Sequence, residues 1–293
     1  MNNYIEWFKK NKITEVECLI PDNSGIPRGK ILPTKKFLSS FESGGLRLPL
    51  HLFKLAVSRS VSYSIDDQLL NPTDGDFILK PDFNTLRVVP WYEEPTAQII
   101  CDAVDSKENE IEVYSRGILK RVISLFNNIG LEPIIAPEIE FYLVKKNNDP
   151  DYPLETPSGQ SGRIEKGNQS YGIDAINEFD HIFEDLYDYC EAQDLDVENI
   201  NHEDGPAQME INFKHGNPLD LADQVFLFKR TLRQTALKHN LYATFMAKPL
   251  EDSPGNSMHI HQSLLKKGKP VFVNKDLITT NYFDRYQIGR AHV

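Results

Sequence analysis

Cysteine is scarce in this chain of 293 residues: Cys18, Cys101 and Cys190 lie far apart and show no C-x-x-C spacing. That argues against a disulfide framework and against a thiolate zinc site, and it fits a reducing cytoplasm. Long apolar runs are missing too. No stretch approaches the roughly 18 apolar residues of a membrane span, and the opening Met1-Asn2-Asn3-Tyr4-Ile5-Glu6 has no apolar signal-peptide core. Positive charge is in deficit, with 32 Lys and Arg against 43 Asp and Glu and a formal net charge of -11. Nucleic-acid phosphates and anionic membranes would repel such a surface, so neither is expected as a partner. Internal repeats and low-complexity segments are absent.

What remains is a globular composition, 40% hydrophobic and 26% charged, long enough for two domains. Residues 1–105 read as short strands and turns. Glu15 to Ile20 is β-favourable, Pro21-Asp22-Asn23-Ser24-Gly25 is dense in turn formers, and Arg28 to Leu32 resumes an extended pattern, so a hairpin is expected. Further strands are expected at Asp76 to Asp82, Leu86 to Val89 and Thr96 to Ala103, and the polar stretch Val104 to Glu112 reads as a linker.

Beyond the linker, Ile118, Val122, Phe126 and Ile129 recur at helical spacing before Gly130, which predicts a helix from Ser115. Leu131 to Leu143 reads as a strand, and Pro133 and Pro137 place it nearer an edge or bend than a sheet centre. Residues 147–172, rich in Asn, Asp, Pro, Gly and Ser, read as a long surface loop. Helices follow from about Glu178 to Gln193 and from about Leu219 to Asn240. Strands are expected at Leu195 to Glu203, Gln208 to Lys214, Ala243 to Ala247 and Ser257 to Leu264, the first two joined by a turn at Asp204-Gly205-Pro206-Ala207.

Three segments carry candidate chemistry. Glu138 and Glu140 are two apart in an apolar strand, so alternation puts both carboxylates on one face, roughly 7 Å apart. Their repulsion makes sense where cations are held, although the wet face of an edge strand fits the same pattern. Glu203 and Glu210 flank the turn at 204–207 and can converge on one point, or can be two exposed glutamates on a hairpin. In Ser257-Met258-His259-Ile260-His261-Gln262-Ser263, the residues His259, His261 and Ser263 share one face. Such a pair of histidines is a familiar metal spacing and also a common surface arrangement. Four carboxylates and an imidazole form a hard, oxygen-dominated set that suits Mg²⁺ or Mn²⁺ better than zinc.

In their order and spacing, Pro137-Glu138-Ile139-Glu140-Phe141, His202-Glu203 through Gln208-Met209-Glu210, Met246-Ala247-Lys248-Pro249 and Met258-His259-Ile260-His261-Gln262-Ser263 resemble the glutamine synthetase family. The resemblance covers residues 13 to about 286. It implies an α+β protein: a β-grasp-like N-terminal domain (1–105) and a catalytic domain (113–286) built on a curved antiparallel sheet backed by the helices from 115 and 219. It also implies an ATP-dependent ligase that joins glutamate to ammonia or an amine through an acyl phosphate. Two or more Mg²⁺ or Mn²⁺ ions per site are implied, with ATP as substrate, in a cytoplasmic homo-oligomeric ring whose active sites lie between subunits.

By motif, Glu140, Glu203 and Glu210 match the metal site that orients glutamate, and Glu138 and His259 match ligands on the ATP side. His261 and Ser263 match nucleotide contacts, and Gly255 matches a glycine that helps hold glutamate. Residues 287–293 read as a non-native tail resembling a translated sequencing adapter. The family's arginines and a further metal-binding glutamate would then lie beyond this chain, leaving its directly catalytic residues unidentified and the fragment inactive.

Three positions depart from the family pattern. Pro254 stands where an asparagine is usual, and Ala207 where a glycine is usual. No Asp-Gly-Ser-Ser segment is found; the corresponding stretch reads Ala56-Val57-Ser58-Arg59-Ser60-Val61. Together with Gly25-Ile26-Pro27-Arg28-Gly29-Lys30, this resembles the γ-glutamylpolyamine synthetase branch and favours an organic amine as acceptor. Two other readings stand beside this one: a metal-dependent hydrolase using His259 and His261, and a non-catalytic, ring-forming structural or regulatory subunit.

Overall fold

The computed structural model describes residues 2–40, 44–55, 75–149, 151–273 and 279–287. Ala56 to Val61 and the tail at 288–293 therefore lie outside the described residues. The chain divides into two compact units, Met1–Arg121 with Glu191–Asp194, and Val122–Cys190 with Leu195–Val293.

The first unit contains α1 (Asn2–Lys10), β1 (Glu15–Pro21), β2 (Pro27–Pro33), α2 (Thr34–Ser40), β3 (Leu46–Pro49), β4 (Asp76–Pro81), β5 (Arg87–Val89) and β6 (Thr96–Val104). The expected β1–β2 hairpin forms because Asp22 organises its turn. One carboxylate oxygen accepts from the backbone N–H groups of Ser24 and Ile26, the other from Arg28 Nε at 3.0 Å, and Gly25 supplies a φ of 71°. The sheet order is β2-β1-β6-β4-β3, with β5 also on β6, and β1 and β6 run parallel. Val16, Cys18, Ile20, Phe37, Phe77, Ile99 and Cys101 are part of its core, so two of the three cysteines are core packing rather than chemistry.

Helix α3 (Ser115–Asn128) begins where the periodicity predicts, but its apolar stripe is not a buried face: Ile118, Val122 and Leu125 are exposed and Phe126 is half-buried. Periodicity identifies a helix and its apolar stripe, not what covers that stripe.

The second unit holds β7 (Glu132–Lys145), α4 (Ile173–Asn177), α5 (Asp180–Ala192), β8 (Val197–His202), β9 (Gln208–Phe213), α6 (Pro218–Lys238), β10 (Leu241–Thr244), β11 (Met258–Lys266), β12 (Lys269–Pro270) and α7 (Asn281–Gln287). Its antiparallel sheet runs β12-β11-β7-β9-β8, with β10 continuing beside β7. Helix α6 backs this sheet. The Asn217 side chain caps it by accepting from the N–H groups of Leu219 and Asp220, Pro218 occupies its first turn, and Leu221, Val225, Phe228, Leu232 and Ala236 are buried along one stripe. Phe228 meets Phe213 of β9 edge to face at 5.3 Å.

Strand β7 is central, not the edge its prolines suggest. It pairs with β11 and β10 on one side and β9 on the other. The odd-numbered N–H groups face the β9 side, as the bonds from Ile135 to Gly216 and from Leu143 to Ala207 show. The ring nitrogens of Pro133 and Pro137 point the same way, but β9 pairs only from Glu138 to Tyr142. The missing donors fall where there is no ladder to break.

Candidate active site

Alternation along β7 and β9 decides the site. Ile139, Phe141 and Leu143 share the buried face with Met209, Ile211 and Phe213, leaving Glu138, Glu140, Glu210 and Asn212 on the other. The register then aligns them, with Glu140 opposite Glu210, Glu138 opposite Asn212, and His259 of β11 opposite Glu138. One ligand atom each from Glu138, Glu210 and His259 lies within 4.8 Å of the other two. His259 Nδ1 is 3.7 Å from Glu138 and 3.9 Å from Glu140, while His261 Nε2 is 3.0 Å from Glu138 Oε1.

Glu140 is the most constrained carboxylate. It is buried, and its Oε2 accepts from the Ser257 N–H at 2.9 Å and from Gln208 Nε2 at 3.2 Å. Gln208 also reaches the Gly255 carbonyl at 3.0 Å and Asn256 Oδ1 at 3.1 Å, so Gly255 stands one hydrogen-bond step from Glu140. A Cβ at Gly255 would come within 2.6 Å of the Ala247 carbonyl oxygen, which explains the glycine. Tyr142 fixes the same segment by donating its hydroxyl to the Pro254 carbonyl at 2.8 Å; burial, Glu140 and Glu203 push its pKa up to about 12.

Burial first, then the neighbouring carboxylates, raises the pKa of Glu203 and of Glu210. Among the described residues no Lys or Arg pairs with Glu138, Glu140, Glu203 or Glu210; the ion pairs at Glu138 and Glu140 are to His259 and His261 alone. Clustered carboxylates with no fixed cation, plus one imidazole, are a donor set fitted to a hard divalent cation.

The structure thus gathers Glu138, Glu140, Glu210, His259 and His261 on one face and brings Glu203 near enough for the charges of Glu140 and Glu210 to raise its pKa. It does not bring Ser263 to them: that residue sits opposite Ile134, further along β11. The tightest trio also takes Glu210 together with Glu138 and His259, across the division that the motifs imply. Gln208 and Asn212 were not singled out from sequence. Asn212 donates to Glu138 Oε1 at 2.9 Å, and its place two residues after Glu210 is the signal that would have found it.

The model of the glutamine synthetase catalytic domain matches residues 112–289. The chain belongs to the glutamine synthetase family. Among relatives, it is 33% identical over 275 residues to the glutamine synthetase of Methanocaldococcus jannaschii, covering 93% of this chain and 57% of that protein. It is 29% identical over 273 residues to the glutamate–isopropylamine ligase of a Pseudomonas species, covering 92% and 59%. It is 30% identical over 269 residues to the γ-glutamylputrescine synthetase PuuA of Escherichia coli K12, covering 90% and 55%. The chain therefore spans between half and two thirds of the length of these glutamine synthetase relatives. The structure of GmaS with ADP superposes with a TM-score of 0.75 at 22% identity over 94% of this chain and 59% of that one, a likeness of fold. Among the described residues no helix is long and apolar enough to cross a membrane.

Proposed function

We propose that this chain carries the metal-binding part of an ATP-dependent ligase that joins the side-chain carboxylate of glutamate to an amine. The observation that supports the reading most strongly is the convergence of Glu138, Glu210 and His259 within 4.8 Å, beside the buried Glu140, on one face of the family's sheet. Divalent cations bound there would neutralise phosphate oxygens during transfer and polarise the carboxylate. By motif, Glu140, Glu203 and Glu210 would serve the glutamate side and Glu138 and His259 the nucleotide side, with Glu210 close enough to Glu138 and His259 to be shared, and Gln208 holds Glu140 and the Gly255 segment in register. His261 and Ser263 extend toward the nucleotide, with His261 braced on Glu138. The glutamate carboxylate takes the terminal phosphoryl group of ATP, giving an acyl phosphate and ADP, and the amine then displaces phosphate. The absent Asp-Gly-Ser-Ser segment favours an organic amine over ammonia. A cytoplasmic ring with shared sites is the matching assembly.

The test is phosphate release by the full-length gene product with Mg²⁺, ATP and glutamate, comparing ammonia, putrescine and isopropylamine. Glutamate-dependent release fastest with an organic amine is expected. Release fastest with ammonia would overturn the choice of acceptor, and no release with any amine despite tight Mg²⁺ binding would favour the non-catalytic subunit.

A further inference from the structure

The loop before α4 grips the turn that carries Glu203. Glu165 is its anchor: the side chain is 11% exposed, Oε2 accepts the Ala207 N–H at 2.5 Å, and both oxygens lie 3.1 Å from His202 Nε2. Only Oε2 has hydrogen-bonding geometry, so Oε1 is a buried oxygen without a hydrogen-bond donor. His202 is itself buried, and its Nδ1 sits 2.7 Å from the Glu203 carbonyl oxygen. Both ring nitrogens therefore meet oxygen atoms, one from the loop and one from the turn, which fixes the ring between them. The grip continues outward. The Tyr171 N–H donates to the His202 carbonyl at 2.9 Å, and Asn168 Nδ2 and the Ser170 hydroxyl both donate to Asp204 Oδ1, the former at 2.8 Å.

These contacts bracket Glu203 from three of its neighbours, residues 202, 204 and 207, and none of them touches the carboxylate itself. The turn needs holding because Ala207 adopts a φ of 55°, which an alanine tolerates poorly. A carboxylate oxygen buried without a hydrogen-bond donor is costly on its own account, and such a cost beside a cluster of like charges calls for an explanation other than stability.

We propose that Glu165 is a positioning residue for the metal site: clamped between His202 and the Ala207 N–H, it holds the 202–207 turn so that Glu203 reaches the cation. The proposal rests on the metal-binding reading of the cluster. Glu165 acts through Glu203, as an outer partner that orients a ligand and is absent from the ligand set.

The test is Mn²⁺ affinity, measured by electron paramagnetic resonance on the full-length gene product. Glu165→Gln keeps the size but loses the charge, and about a tenfold weaker Mn²⁺ affinity is expected, the low end for outer partners of metal ligands. The exposed double variant Asn168→Ala with Ser170→Ala loosens the same turn without touching a buried group, and should weaken Mn²⁺ in the same direction. In a Glu203→Gln background, adding Glu165→Gln should cause no further loss. Wild-type affinity in Glu165→Gln, or an undiminished loss in the Glu203→Gln background, would overturn the positioning role while leaving the metal site standing. Should Glu165→Gln fail to fold, wild-type affinity in the double variant would overturn it instead. No Mn²⁺ binding by the wild-type protein would overturn the metal reading and this proposal together.

Discussion

Glu140 and Glu210 face each other directly across the β7–β9 ladder, 7% and 8% exposed respectively, with no basic side chain from Lys or Arg between them among the described residues. Like charges directly opposed in a sheet are destabilising by some tenths of a kcal/mol to about 1 kcal/mol. The fold tolerates the pair by placing its shorter hydrogen bonds on one side: Gln208 and the Ser257 N–H serve Glu140 at 3.2 and 2.9 Å, while Glu210 has a long contact of 3.5 Å from Asn201 and shares the Asn212 amide with Glu138. Glu210 is left the more available of the two for a cation.

Replacing Glu210 by Gln should therefore move stability and metal affinity in opposite directions. Without divalent metal the variant is expected to be more stable than wild type, by up to about 1 kcal/mol from the opposed charges. Mn²⁺ binding should fall at least about tenfold. Chemical denaturation in EDTA, set beside a Mn²⁺ titration, checks both signs; a variant less stable without metal would mean that Glu210 is held by contacts other than those seen.

The contribution of Glu203 and Glu210 to the stability of the metal-free protein should fall as pH rises. The folded-state pKa values of Glu203 and Glu210 lie above the ordinary 4.5 through burial and neighbouring carboxylates. A raised folded pKa means tighter proton binding by the folded state, so this contribution is fully present below about 4.5 and is lost as pH climbs through the raised values. Tm recorded in EDTA from pH 4 upward should show that loss superimposed on the remaining groups, and the decline should be smaller in Glu210→Gln. Saturating Mn²⁺ should restore Tm at neutral pH.

Ala207 is the position where the family's usual glycine would relieve strain. Its φ of 55° lies in the left-handed region, which costs an L-residue about 1–2 kcal/mol, while a glycine forfeits about 0.5–1 kcal/mol in chain entropy. Ala207→Gly is expected to raise stability by about 0.5–1 kcal/mol, read from the midpoint of a urea titration at unchanged slope.

Gly255 should resist any side chain. An added Cβ meets the Ala247 carbonyl oxygen, a backbone atom, at 2.6 Å, so the segment must shift. Overpacking of this kind costs about 1–3 kcal/mol. Gly255→Ala should also disturb the Gln208 bridge to Glu140, so thermal unfolding and Mn²⁺ binding should worsen together. Loss of stability alone would separate Gly255 from the site.

Strand alternation was enough to put Glu138 with Glu140, and His259 with His261, because a period of two is a property of the extended chain itself. The hairpin at 21–25 and the cap at Asn217 were equally local, since each depends on a side chain bonding a backbone group a few residues away. Order and spacing of the motifs were enough for the family. None of this could show that β7 is central, because whether a proline's missing donor matters depends on where the neighbouring strand stops pairing. Nor could it show that α3 leaves its apolar residues exposed, or that Glu165, from an irregular loop, reaches the turn beside Glu203. Those outcomes depend on contacts between residues up to more than a hundred positions apart, such as the bond from Ser257 to Glu140. Periodicity carries no information about such pairings; the register of the sheet and the packing of the loop decide them.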